Sequence, residues 1–298
     1  MKLTGVGIWS AGLSFGDAGE VADAAAELDE LGYTSVWIPA TGSGAFASVE
    51  HLLASTTNMV VATGILNLWA VTPEGTAERH ARLQARYGGR FLLGVGVSHA
   101  DLVENLAPNL RYEKPLAAMT NFLDGLDVAP VPVAEEDRVL AALGPKMLET
   151  ARTRAGGAHP YNVTPDHTAS AREVLGASKL LVPEQAVAFT DDIQEARTFG
   201  RGFLEHYLER PNYANNLRRL GFTEDDLAGG GSDRLIDALV VHGDEDAIAA
   251  RIREHRDAGA DSVCVQVVSG SEYGGMVDLH RDAWRALAPA LTGVEQGG

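Results

Sequence analysis

Cysteine is almost absent from this 298-residue chain: Cys264 stands alone, which excludes an internal disulfide framework and any site built from several thiolates. Lysine is scarce as well. Lys2, Lys114, Lys146 and Lys179 are the only four among 24 basic residues, and 41 acidic side chains leave a formal charge of −17. A surplus of that sign repels phosphates and anionic lipid, so nucleic acid and membrane surfaces are poor partners. Long apolar runs are missing too. The longest uncharged one, Met59 to Val71, falls well short of the roughly 20 residues that span a bilayer. The start, Met1 to Trp9, is interrupted by two glycines and reads as a strand of a cytoplasmic protein rather than an export signal. There is no G-x-G-x-x-G after the first strand, no H-E-x-x-H and no G-x-S-x-G. Dinucleotide binding of the doubly wound kind, a helical zinc site and serine hydrolysis therefore lose their usual signatures.

What the chain does have is a recurring unit: an amphipathic Ala/Leu/Arg/Glu-rich segment, a glycine near its end, then a short β-branched or apolar run. It appears around Gly32, Gly88, Gly156 and Gly259, where a left-handed glycine can stop a helix and turn the chain into a strand. Helix and strand in alternation require a parallel sheet. Eight strands are predicted, at 3–9, 34–39, 59–66, 90–96, 138–143, 158–163, 179–182 and 261–268. That number in a chain of this length points to an α/β fold, a (β/α)8 TIM barrel forming one domain over 1–291, with an open doubly wound sheet as the alternative. The spacing breaks after the seventh strand, which predicts an insertion at about 191–233. Its glycine run Gly229-Gly230-Gly231 reads as a flexible linker, and residues 292–298 as a flexible tail.

In a parallel barrel the site lies at the carboxyl ends of the strands. The third strand ends in Thr63-Gly64-Ile65-Leu66-Asn67 and the fourth in Gly96-Val97-Ser98-His99. Small residues there let a flat ligand approach the backbone, and the few polar groups can orient it, so Thr63, Gly64, Ile65, Asn67, Gly96 and Ser98 are candidate cofactor contacts. His99 is a candidate proton donor or carbonyl partner, against the plainer reading of a satisfied structural histidine. Gly144-Pro145-Lys146-Met147 opens a helix directly after a strand, a place suited to an anion, or else an ordinary turn with a solvated lysine. A Schiff-base role for Lys146 is a distant rival, because an amine in a helical first turn stays protonated. The amide-rich stretch Pro211 to Asn216 either lines a cavity or turns a corner between helices.

At these strand ends the sequence resembles the luciferase-like monooxygenase superfamily, and within it the branch of oxidoreductases that use the deazaflavin coenzyme F420. The resemblance rests on Val36-Trp37-Ile38-Pro39, Ala62 to Asn67, Arg90 to His99, Leu143 to Leu148, Gly157 to Tyr161, Pro211-Asn212-Tyr213 and Ala258 to Asp261. It implies a TIM barrel with an insertion after the seventh strand, and a flat cofactor, F420 or alternatively FMN, across the mouth. It also implies a non-prolyl cis bond at Gly64-Ile65, and a phosphate near Gly144, Lys146, Met147, Gly157 and Ala158. The expected activity is hydride transfer between F420 and a small organic substrate, in a homodimer. An FMN-dependent monooxygenase and a flavin-binding protein without activity are the alternatives. One departure matters: the resemblance implies that many deazaflavin-dependent relatives carry an acid or histidine at the end of the second strand, where this chain has Pro39-Ala40-Thr41. That shifts the expected catalytic role to His99, with Thr41 and Asn67 as polar helpers.

Overall fold

The computed structural model describes residues 2–41, 44–106, 111–271 and 275–294. Among the described residues ten strands form one sheet: β1 (Gly5–Trp9), β2 (Ser35–Ala40), β3 (Val60–Asn67), β4 (Phe91–Gly96), β5 (Arg138–Leu140), β6 (Gly157–Ala158), β7 (Leu180–Leu181), β8 (Glu184–Ala188), β9 (Val240–His242) and β10 (Ser262–Val267). Every pairing is parallel, in the order β7-β6-β5-β4-β3-β2-β1-β10-β8-β9. The α/β parallel architecture expected from the repeats is therefore present.

The seventh predicted strand is longer than expected and interrupted. Pro183, which has no N–H to give a ladder, separates β7 from β8. On one side this stretch pairs with β6, and Glu184 N donates to Pro160 O at 2.9 Å. On the other it pairs with β10, and Cys264 N donates to Pro183 O at 3.0 Å. Residues 180–188 thus bond in both directions, and the sheet curls back on itself, with β9 added outside β8.

Alternation along the strands sorts the core into layers. Trp9, Trp37, Ala62, Leu92, Val139, Val182 and Cys264 form one cluster, drawn from six strands and the link between β7 and β8. The opposite faces pack against helices in the largest cluster, which includes Ile8, Val36, Val61, Leu93, Leu140 and Val265. Gly32, Gly88 and Gly259 are left-handed at helix ends, as the recurring unit requires. Gly156 is not. A side chain there would meet the backbone of Glu135 and Glu136 at about 3.0 Å, so close approach explains that glycine instead.

Between β8 and β9 the chain folds into helices Ile193–Leu208, Pro211–Arg219, Glu224–Leu227 and Asp233–Leu239, which share a second core with Ala186 and Ala188. The glycine run inside it forms a turn rather than a linker. Gly229, Gly230 and Gly231 all have positive φ, and Gly231 N donates to Ala228 O, which leads into Ser232 as the cap of the next helix. The last helix runs to Thr292, one residue past the expected boundary, and the end of the predicted tail, 295–298, lies outside the described residues.

Candidate functional site

The third strand sets the floor. Thr63 Oγ1 donates to Gly94 O at 2.7 Å and accepts from Gly94 N at 2.8 Å, so its hydroxyl is spent on the neighbouring strand. The next bond, Gly64-Ile65, is cis, as the resemblance implied, and the register with β4 shifts across it. Trp9 Nε1 donates to Gly64 O at 3.0 Å. A Cβ on Gly64 would lie 2.8 Å from Trp9 Nε1 and 3.2 Å from His159 Nε2, so only glycine fits. Gly96 is small because the Ile65 side chain occupies its space, and Gly157 because Leu180 O lies 1.9 Å from where a Cβ would stand. Each of these glycines has a packing reason that holds with or without a ligand. Asn67 is buried, and its Oδ1 accepts from Trp69 N; Ser98 is left-handed at the end of the fourth strand.

Beneath Gly64, the His159 ring stacks on Trp37 at 4.2 Å between centroids, with Nδ1 bonded to Val182 O at 2.7 Å. The backbone acceptor makes Nδ1 the protonated nitrogen, which leaves Nε2 as a buried lone pair without a partner. Burial pushes its pKa down to about 4, so the ring is neutral at pH 7.

The mouth above has an aromatic wall. Tyr161 sits at its centre, 5.3 Å from Trp9, 5.5 Å from Tyr207 and 6.5 Å from Tyr213. Helix Ile193–Leu208 supplies Phe203 and Tyr207, and Pro211 starts the helix that supplies Tyr213. The stretch at 211–216 is thus both a helical corner and part of the wall. The Tyr161 hydroxyl donates to Gln266 Oε1 at 2.8 Å, and the Tyr207 hydroxyl reaches Tyr161 at 3.4 Å. Burial raises all three phenols, which keeps them protonated. His99 packs on Tyr213 at 5.6 Å and is held down to about 4, chiefly by burial and also by Arg210, which itself pairs with Asp101 at 3.0 Å. A neutral imidazole offers one N–H and one lone pair but is a poor proton source. Thr41 is exposed beyond the end of β2.

Gly144, Lys146 and Met147 come together in one turn at the start of helix Pro145–Arg154, which has no side-chain cap. Lys146 is exposed, and Glu149 on the same helix is engaged by Arg152 instead. Arg219 brings a second cation within 3.7 Å of the position a Gly144 Cβ would take. Gly157 and Ala158, by contrast, are buried strand residues. Tyr213 and Arg219 share one helix, six residues or about 9 Å apart along its axis. That helix therefore links the aromatic mouth to the cationic turn.

Reading the sequence missed Glu184 and Gln266. Both are buried in strands, Glu184 1% exposed and Gln266 2%. The available signal was a carboxylate inside the apolar run from Leu180 to Phe189. A separate cleft of about 450 Å³, lined by Thr164, Asp166, Phe222, Arg234, Arg251 and Glu254 among others, contains none of the expected site residues. Among the described residues no group of three or more His, Cys, Asp or Glu side chains is arranged to hold a metal, and no helix is long and apolar enough to cross a membrane.

Residues 3–129 match the luciferase-like monooxygenase family. A Mycobacterium tuberculosis protein named as a coenzyme F420-dependent oxidoreductase is 25% identical over 84% of this chain and 91% of its own length. Among solved structures, the coenzyme F420-dependent tetrahydromethanopterin reductase from Methanopyrus kandleri superposes with a TM-score of 0.71 at 16% identity, covering 98% of this chain and 100% of that one. An F420-dependent secondary alcohol dehydrogenase in complex with an F420-acetone adduct gives 0.69 at 15%, over 96% and 99%. The FMN-bound oxygenating constituent of 3,6-diketocamphane monooxygenase from Pseudomonas putida gives 0.68 at 13%, over 97% and 98%. At these identities the structural likenesses speak for the fold.

Proposed function

We infer that this chain, whose residues 3–129 match the luciferase-like monooxygenase family, is an oxidoreductase of that family and moves a hydride between coenzyme F420 and a small organic substrate. The observation that carries the reading is the helix Pro211–Arg219, which joins an aromatic-walled mouth to an uncapped helix start beside two cations. A flat ring with an anionic tail matches that pairing. The fold in this reading is a closed (β/α)8 barrel whose helical segment after residue 188 is the insertion, in a cytoplasmic homodimer.

The residues present fit the cofactor. Lys146, Arg219 and the first-turn backbone of Gly144 and Met147 would hold its phosphate, with Gly157 and Ala158 shaping the adjoining strand. Thr63, Gly64, Ile65, Asn67, Gly96 and Ser98 would form the floor under its ring. When bound, the deazaflavin supplies the two-electron hydride carrier. The chain's own work is to hold the substrate carbon over that floor, exclude water with Tyr161, Tyr207 and Tyr213, and stabilise charge developing on the substrate oxygen. His99, as a neutral imidazole, is suited to the last task through its N–H.

Titrating the purified protein with F420 and, separately, with FMN tests this. Saturable quenching of F420 fluorescence is expected at micromolar protein. Loss of one charge-assisted contact costs about 1.5–3 kcal/mol, so Lys146→Ala and Arg219→Ala should each weaken binding roughly tenfold or more. FMN binding without F420 binding sinks the cofactor assignment and favours the monooxygenase alternative, which the FMN-bound neighbour supports. Saturable binding with no hydride exchange across alcohols, aldehydes and imines would leave a flavin-binding protein without activity.

A further inference from the structure

Helix Pro211–Arg219 reaches from the segment after β4 to the segment after β5, two neighbouring strands, and is fastened unequally at its two ends. At its start Arg210 pairs with Asp101 at 3.0 Å and lies over the Tyr207 ring at 5.4 Å, and one turn on Tyr213 packs on His99 at 5.6 Å. At its finish Arg219 Nη2 stands 3.7 Å from the position a Gly144 Cβ would take. Among the described residues, however, Arg219 bonds nothing in that turn; its only hydrogen bond runs back to Asn216 Oδ1, at 3.2 Å. Asn216 is 2% exposed, and its Nδ2 has no partner. The turn opposite is itself tied down, because His167 Nε2 donates to Leu143 O at 3.0 Å.

An exposed guanidinium held by a buried amide, facing a helix start without a side-chain cap, is one half of an anion contact. We propose that a phosphate group at the Gly144 turn is the second fastening of helix Pro211–Arg219, and that Asn216 is the positioning residue through which the anion acts on the helix. A guanidinium free on its stem could follow an anion without moving its backbone. Held by Asn216, whose side chain is buried and moves with the helix, Arg219 passes the anion's pull to the helix itself. Tyr213 lies three residues before Asn216, on the same helical face, and settles with it. The inference rests on the hydride-transfer reading above and deepens it. The charged end of the cofactor sets the wall of the substrate mouth, so coenzyme binds first and substrate second. Coupling is reciprocal, so whatever fastens the start of the helix also strengthens anion binding at its finish, about 13 Å away along the axis.

Hydrogen exchange of the full-length protein with inorganic phosphate, against sodium chloride of equal ionic strength, reads the coupling without any coenzyme. Phosphate is expected to slow exchange saturably in two places at once, the turn at 144–148 and the helix at 211–219. Protection of the turn alone, or of neither, overturns the proposal. The second reading is the phosphate dissociation constant of Asp101→Asn. By charge alone this variant binds an anion more tightly, since it removes a carboxylate and frees Arg210. Coupling demands the opposite sign, a weakening of roughly fivefold or more, and an equal or tighter constant overturns the proposal. Asn216→Ala should lose the protection of the helix while the turn stays protected; protection of both in that variant overturns the role given to Asn216. Should Asn216→Ala fail to fold, wild-type exchange and the half-exposed Asp101 still decide. Failure of F420 to bind sinks the coenzyme reading and leaves the phosphate result standing, whereas F420 binding with phosphate protecting the turn alone does the reverse.

Discussion

Single residues show why small side chains at strand ends were legible in the sequence while their reasons were not. Gly64, Gly96 and Gly157 were expected to make room for a ligand; each is required by a neighbour in the same chain, Trp9 and His159, Ile65, and Leu180 O respectively. Contacts between strands far apart in sequence are invisible to local pattern. Gly157→Ala, pressed against backbone that has no rotamer to yield, should cost at least about 1–3 kcal/mol and lower the melting temperature markedly. Gly202 is the control: exposed in the interior of helix Ile193–Leu208, with nothing within 4 Å of an added Cβ, its change to alanine should stabilise by up to about 1 kcal/mol. Thr63→Val tests the hydroxyl that bridges to Gly94. It leaves a buried N–H and C=O short of a partner and should cost about 1–3 kcal/mol in denaturant unfolding.

At the scale of elements, six of the eight predicted strands were placed within three residues at either end, most of them because they follow a helix pattern that ends in turn chemistry, while the sixth, expected at 158–163, coincides with β6 only at Ala158. The seventh was truncated. Pro183 breaks the apolar run, and Glu184-Gln185 reads as surface although both side chains are buried. β9 was missed because three residues running directly out of a helix leave no turn signal. The helical segment after residue 188 was legible as a break in spacing, and Tyr213 lay in a stretch read as possible cavity lining, but the rest of the aromatic wall was not legible, since Phe203 and Tyr207 sit at ordinary apolar positions of an amphipathic helix. Arg197 bonds both oxygens of Asp237 and pairs with Asp233 at 2.7 Å, tying helix Ile193–Leu208 to helix Asp233–Leu239. Its partners are half exposed, so Arg197→Met should cost only about 0.2–1 kcal/mol. Hydrogen exchange should quicken across 193–239 and stay unchanged in β1 to β4; equal quickening throughout would show that this segment does not open on its own.

Across the whole molecule, pH stability follows from buried groups whose signs oppose. His80 and His159 are pushed down to about 4 and His255 to about 3 by burial, so the folded state holds fewer protons than the unfolded one between those values and about 6.5. Their contribution is complete above about pH 6.5 and is lost as the pH falls toward 4. Glu184 has the opposite sign: raised to about 8, it favours the fold at low pH, and that contribution is lost as the pH climbs from about 4.5 to 8. Thermal melts from pH 4 to 9 should fall steeply on the acid side and gently on the alkaline side, and Glu184→Gln should flatten the alkaline slope alone.

The strand order also dictates when this protein can finish folding on the ribosome. β1 is made before every other strand of the sheet and takes β10, made after them, as a neighbour, and β10 takes the stretch 184–188 as its other neighbour. A nascent chain released before β10 is made would therefore leave two strand edges, β1 and β8, distant in synthesis order, bare at once. Such edges invite pairing with another chain, so translation pauses or premature termination before β10 should yield aggregates, whereas a chain that includes β10 has neither edge to offer.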